Sequence, residues 1–246
     1  MSAYLRALAA LESWSLEGDQ VEPEFLEAYG EAAKSLRCGT TAPRIRILDI
    51  GAGAGGDLRY IRRALDAADL SLTMVEVVAV EPNQCAWPHL EQEQKRWLSD
   101  VADFRLLPDM STLYLEADGF DLAVLQHVLC CAQQPGDLLE EVRAALKPGG
   151  QLVFVEHVVA DSAKMPYLLA AQVALRPVQR ALCNGCDPCR DSERLFESQV
   201  FEEVKLKRFS LPVLGVPIPH IKGVALKSEA DLTKTWRAPL TVEEFL

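Results

Sequence analysis

The pattern of apolar and polar positions changes period near residue 44. Before it, Phe25, Leu26, Tyr29, Ala33 and Leu36 recur at helical spacing behind Pro23, a residue suited to a first helical turn, and predict a helix from about Pro23 to Arg37. A weaker amphipathic pattern through Tyr4, Leu5, Leu8 and Leu11 predicts another near 3–14. Beyond residue 44, short β-rich runs alternate with helical stretches. RIRILDI (44–50), MVEVVAV (74–80), DFRLL (103–107), FDLAVLQ (120–126) and QLVFVEHVV (151–159) predict strands. Helices are expected through Tyr60, Ile61 and Leu65, near 89–99, from about Asp137 to Leu146 before the stop signal Lys147-Pro-Gly-Gly150, and near 165–182. FEEVKLKRF (201–209) and HIKGVALK (220–227) predict two last strands. The link LPVLGVPIP between them is too short for a crossover helix, so this pair should be antiparallel.

Alternation of this kind implies a mostly parallel sheet covered on both faces, with ligands outside the carboxyl ends of the strands. Residues just after a strand are therefore the ones to examine. The chain divides into an N-terminal helical cap (1–43), an α/β domain (44–227) and a polar C-terminal tail (228–246).

Composition narrows the class. Nearly half the residues are apolar, 49%, so a full core needs neither disulfides nor metal. A net charge of −11 repels phosphate and argues against nucleic acid or anionic lipid as a partner, leaving a small molecule as the expected substrate. Seven cysteines in a chain this long do not read as a secreted disulfide framework. The N-terminus lacks a signal-peptide pattern, and no segment approaches the roughly 18 uninterrupted apolar residues of a membrane span. A cytoplasmic location is expected, with no integral membrane segment. Peripheral membrane association is compatible with it. The sequence leaves the oligomeric state open.

The stretch LDIGAGAGGDL (48–58) carries the chemistry, and it can be read two ways. Gly51, Gly53 and Gly56 fit G-x-G-x-x-G, which seats a pyrophosphate at a helix N-terminus. Asp49 and Asp57, however, flank the loop. A carboxylate about 5 Å from a phosphate costs on the order of 3 kcal/mol at an effective dielectric of 20. A ligand with an ammonium and a sulfonium reverses that sign, and glycines let it approach the backbone. Asp49, Gly51, Gly53 and Gly55 match acidic-x-Gly-x-Gly-x-Gly. On these residues the chain resembles the class I S-adenosylmethionine-dependent methyltransferases.

The resemblance implies an α/β, doubly wound, mostly parallel seven-stranded Rossmann-like sheet with a C-terminal antiparallel pair and an N-terminal helical cap. It implies S-adenosylmethionine as cofactor and S-adenosylhomocysteine as product. Glu81, in VVAVEPN beside Pro82, would bond both ribose hydroxyls. Asp109 and Met110, in LLPDM, would meet the adenine, and Gln126 would lie near the methyl. FDLAVLQHVL (120–129) and LKPGGQLVFVEH (146–157) resemble the fourth- and fifth-strand motifs. VLCC (128–131), LKPGG…EHV (146–158), the cysteine-bearing loop near 183–189 and PHIKGVALK (219–227) look like the branch of small alkyl thiol methyltransferases. Members of that branch carry a hydrophobic N-terminal anchor, where the first 43 residues here are polar-amphipathic.

In-line methyl displacement needs an aligned acceptor, a dry site and a nucleophile kept reactive. His157, His127 and His220 are the candidates for accepting the acceptor's proton, and each has a rival use as a hydrogen-bonded or packed wall residue. Glu156 reads as orienting a histidine or capping a loop, and Asp121 as contacting the glycine-loop backbone. Cys183, Cys186 and Cys189 form Cys-x-x-Cys-x-x-Cys. A closed zinc site wants four ligands, so free thiols lining a loop over the acceptor pocket are the preferred reading and no metal is assigned. Cys130 and Cys131 are expected to pack beside the cofactor. The function expected is methyl transfer to a small acceptor, with a thiol suggested by the resemblance. The rivals are a phenol, amine or quinone-precursor methyltransferase, a non-catalytic cofactor-binding partner subunit and a nicotinamide enzyme.

Overall fold

The structure, a computed structural model, describes residues 22–39, 44–111, 113, 119–197, 200–213 and 216–230. The helix expected near 3–14 and the tail beyond 230 lie outside the described residues. The first described element is helix α1 (Glu22–Gly39). Then follow β1 (Ile45–Ile50), α2 (Leu58–Ala67), β2 (Val75–Val80), α3 (Trp87–Trp97), β3 (Asp103–Leu107) and β4 (Phe120–Gln126). The chain continues through α4 (Pro135–Ala145), β5 (Leu146–His157), α5 (Pro166–Leu182), α6 (Ser192–Phe196), β6 (Glu203–Val213) and β7 (Val216–Leu226).

The seven strands form one sheet in the order β3-β2-β1-β4-β5-β7-β6. The first five are parallel, and β7 pairs antiparallel with both β5 and β6. Strand order reverses between β1 and β4, the place where such sheets open a binding crevice. Period-2 alternation divides the core. Ile47, Val77, Val124 and Val153 face α1, α2 and α3, while Leu48, Val78, Leu125 and Phe154 face α4 and α6.

Two expectations need correction. The proline-rich link before residue 220 is mostly strand: β6 and β7 stay paired up to Val213 and Val216, because an edge strand tolerates the prolines' missing N–H groups. Helix α4 ends at Ala145, before Lys147-Pro-Gly-Gly150 as expected, but that stretch is the irregular start of β5, with a register shift between Phe120 and Leu122, so the strand begins earlier than residue 151. The short helix α6 carries no sequence signal strong enough to predict it.

Asp121 is also misplaced by the sequence reading. It is the second residue of β4, at the amino edge of a parallel sheet, while the glycine loop follows the carboxyl end of β1. Its carboxylate accepts the Arg46 N–H at 2.8 Å and the Lys147 ammonium at 2.8 Å, and so ties β1, β4 and β5 together far from the site.

Helix α1 is the part of the expected cap that is described. Phe25, Tyr29, Ala32, Ala33 and Leu36 are buried, so the apolar stripe faces the domain. The buried ammonium of Lys222, on β7, sits between Glu24 and Glu27 of α1, and Lys207 of β6 reaches Glu27 as well. Packing and these ion pairs lay α1 across the carboxyl edge of the sheet.

Candidate active site

The loop after β1 shows which glycine pattern it uses. Gly51, Gly53 and Gly55 all have positive φ, at 68°, 54° and 82°. A Cβ on Gly51 would lie 2.6 Å from a Val128 methyl, and one on Gly55 2.9 Å from Leu90. Gly56 has nothing within 4 Å of where its Cβ would stand. The geometry demands glycine at 51 and 55, which is the acidic-x-Gly-x-Gly-x-Gly spacing, and is indifferent to it at 56.

Asp49 and Asp57 close on this loop from either side. Both are buried, Asp49 completely, and neither Asp49 oxygen has a donor among the described residues. One oxygen of Asp57 is equally bare. Burial, and then the charge of Asp57, push the Asp49 carboxyl well above the usual carboxylate range, and burial raises Asp57 too. Two carboxyls buried without a cation among the described residues are costly to ionise together.

Glu81 follows β2 and is nearly as buried. It accepts the Gly53 N–H at 2.8 Å and the Asn83 N–H at 2.6 Å, and its carbonyl takes the Trp87 indole N–H at 2.9 Å. These bonds fix the carboxylate beside the glycine loop. Pro82 forms the turn behind it, its carbonyl accepting the Gln84 N–H at 3.1 Å. Past β3, Asp109 spends Oδ1 on the N–H of Ser111 at 2.8 Å and on its hydroxyl, while Met110 is buried in the core face of the sheet. Gln126, at the end of β4, accepts the Tyr29 hydroxyl at 2.9 Å, which places α1 over the site. Phe25 stacks on Tyr60 at 5.1 Å beneath the same helix.

The three histidines expected from the sequence converge. His127 follows β4 with φ 58°, and His157 ends β5 directly opposite His220 of β7. The His127 ring lies 4.3 Å from His157 and 5.3 Å from His220, and the latter two are 4.5 Å apart. Burial, and then the neighbouring His157, hold His127 well below its ordinary value and His220 at about 3. Both are therefore neutral. His220 Nδ1 is 2.9 Å from the Ile218 carbonyl, so it carries the proton and Nε2 presents a bare lone pair. Nε2 of His220 and of His127 are buried without a partner among the described residues.

Known proteins resemble this chain along most of its length. The family model described as a methyltransferase domain matches residues 24–202. The chain belongs to that methyltransferase family. Thiol S-methyltransferase TMT1B of Homo sapiens is 26% identical over 190 residues, covering 75% of this chain and 71% of the relative. The human thiol S-methyltransferase TMT1A is 27% identical over 193 residues, with 75% and 71% covered. Among solved structures, the CurJ carbon methyltransferase superposes with a TM-score of 0.60 at 18% identity, over 89% of this chain and 58% of that one. The chain thus spans little more than half of that solved protein, and the likeness is one of fold.

In this methyltransferase Glu156 caps a loop, one of the two uses expected of it. It is wholly buried and accepts the N–H groups of Val128 and Leu129 at 2.8 and 2.9 Å and of Cys130 at 3.3 Å. Burial pushes it up to about 7 against the lowering by those N–H groups. The turn it holds carries Val128, which packs on Gly51, and Cys130 with Cys131.

Sequence reasoning missed the partners of Cys186. The Cys183–Cys189 run does not converge on itself as a ligand trio among the described residues. Cys186 instead joins Cys130 and Cys131, with ligand atoms mutually within 4.8 Å. It also missed Phe25 and Tyr29 as site residues. The stripe signal marks them as buried and cannot say what they cover.

Proposed function

We propose that the chain transfers a methyl group from S-adenosylmethionine to a small thiol. The observation that carries the cofactor is the pair Asp49 and Asp57, buried carboxylates with oxygens that no donor among the described residues meets. They suit the ammonium of the methionine portion, beside a loop whose backbone packs against Val128 and Leu90 at Gly51 and Gly55. Glu81 would take the ribose hydroxyls, with Pro82 shaping the turn. Asp109 and Met110 would flank the base, and Gln126, oriented by Tyr29, would lie toward the methyl. When bound, the cofactor supplies a methyl on a positively charged sulfur.

The chain's own part is to place the acceptor and keep it nucleophilic. His220 Nε2, the unprotonated nitrogen of a neutral imidazole, accepts the thiol S–H and takes its proton as sulfur gains the methyl, with the His127 ring packed beside it. His157 stacks on His127 and orients it. Its Nδ1 lies 3.7 Å from Cys130 Sγ and 3.6 Å from Cys186 Sγ, so it serves as a positioning residue more readily than as the base. Helix α1 excludes water from above. The thiol assignment is supported by the thiol S-methyltransferases that the chain resembles, and by two unprotonated imidazoles that suit a weakly acidic S–H donor.

The test is turnover of a panel of small thiols and phenols with methyl-labelled cofactor. Label transfer to thiols, reduced at least about tenfold in His220→Ala with cofactor affinity unchanged, is the expected result. Methylation of phenols but of no thiol would reject the acceptor assignment.

A further inference from the structure

Behind the histidines, on three segments distant in sequence, lies a second constellation. Cys130 and Cys131 sit on the turn after β4, His157 ends β5, and Cys186 comes from the loop after α5. Cys130 Sγ is 3.7 Å from Cys131 Sγ and 3.6 Å from Cys186 Sγ. His157 Nδ1 stands 3.7 Å from the Cys130 sulfur and 3.6 Å from the Cys186 sulfur. A tetrahedron with metal–sulfur bonds of about 2.3 Å and a metal–nitrogen bond of about 2.0 Å has edges of about 3.5–3.8 Å. Those four of the six edges fall on that length, and Cys131 Sγ lies within 4.8 Å of Cys186 Sγ.

We propose that Cys130, Cys131, Cys186 and His157 form a closed Cys3His site for a thiophilic divalent cation, zinc. The surroundings are those of an ordered metal centre. Cys130 and Cys186 are buried, and the Gln179 side-chain amide of α5 donates to Cys186 Sγ at 3.5 Å as an outer-shell partner. The loop is preset to deliver Cys186. Asn184 and Gly185 turn it at φ 49° and 83°, the Asp187 N–H donates to the Cys130 carbonyl at 2.9 Å, and the Arg176 guanidinium grips Asp187 at 2.9 Å. Binding releases the thiol protons to solvent and forms three metal–sulfur bonds and one metal–nitrogen bond, with no change of oxidation state. The ion would pin the loop after α5 to the ends of β4 and β5 and fix the face of His157 that His127 stacks on.

The reduced full-length protein, prepared without air, is titrated with zinc against a chromophoric chelator and separately with cobalt. One equivalent should bind, cobalt should show tetrahedral ligand-field bands with sulfur charge transfer, and zinc should raise the melting temperature. Cys186→Ser should weaken zinc at least a hundredfold and Gln179→Leu by about tenfold, the range for outer partners. Cys183→Ser and Cys189→Ser should bind as wild type, which separates this site from the Cys-x-x-Cys-x-x-Cys run. Circular dichroism of each variant checks folding. Failure of folded wild type to take up one equivalent, octahedral cobalt, or equal losses in Cys183→Ser and Cys186→Ser would each overturn the proposal.

Discussion

Asp49 and Asp57 meet across the start of the glycine loop, both buried and both with carboxyls raised by burial. No cation from the chain reaches Asp49 among the described residues. In a protein of marginal stability, such a pair persists where a ligand uses it.

Asp49→Asn should therefore separate stability from function. Removing one of two buried carboxyls whose ionisation opposes folding is expected to raise the melting temperature of the ligand-free protein, while S-adenosylmethionine binding weakens by about 1.5–3 kcal/mol, the range for a hydrogen bond to a charged group. Thermal denaturation and calorimetry of the same variant check both halves. A lower melting temperature with unchanged affinity would make Asp49 a structural residue.

The glycines give a ranking. Gly51→Ala meets Val128 at positive φ and Gly55→Ala meets Leu90, so each should cost more than about 1 kcal/mol in urea unfolding and impair cofactor binding. Gly56→Ala meets open space and should stay within about 0.5 kcal/mol of wild type. The reverse order would restore the dinucleotide pattern.

Helix α1 should loosen in acid. Hydrogen bonds first from Lys207 and then from Lys222 lower Glu27 from 4.5 to about 2. A depressed carboxylate contributes docking stability above its ordinary value and loses it as pH falls from 4.5 toward 2. Glu27 is half exposed, so the effect is small in energy and local. Protection factors over residues 22–39, with each amide's intrinsic rate at that pH divided out, should fall across that window ahead of those of the sheet, and Lys222→Met should reduce the pH dependence. Protection in α1 that is flat with pH in the wild type would contradict it.

Glu156 predicts the opposite sign. Its raised value means that ionisation between 4.5 and about 7 works against folding, yet the ionised form best holds the three N–H groups of the 128–130 turn. Glu156→Gln should lower turnover by disturbing that turn and Cys130, and should flatten the pH dependence of stability in this window. Unchanged turnover would show that the cap is dispensable.

Much of the site was legible because parallel α/β topology puts chemistry where strands end. Asp49, Glu81, Gln126 and His127 follow from that rule and from local spacing. His157 and His220 could be named from the last strands, and their meeting follows from the antiparallel pairing of β5 with β7. The rest was hidden by distance along the chain. Nothing near Cys186 says that it turns to Cys130 and leaves Cys183 and Cys189 behind, since that depends on where α5 ends. Asp121 was misassigned because its position within the strand, at the amino edge, decides its partners. The stripe on α1 fixed its buried face but not the catalytic edge it covers.

The most direct test titrates the protein with S-adenosylmethionine by calorimetry near neutral pH, in two buffers of different ionisation enthalpy, beside a nicotinamide dinucleotide control. The carboxyl pair, raised by burial, should bind the sulfonium cofactor and release a proton, so the heats differ between buffers, and Asp49→Asn should abolish that difference. Binding of the dinucleotide with no heat from S-adenosylmethionine would contradict the account.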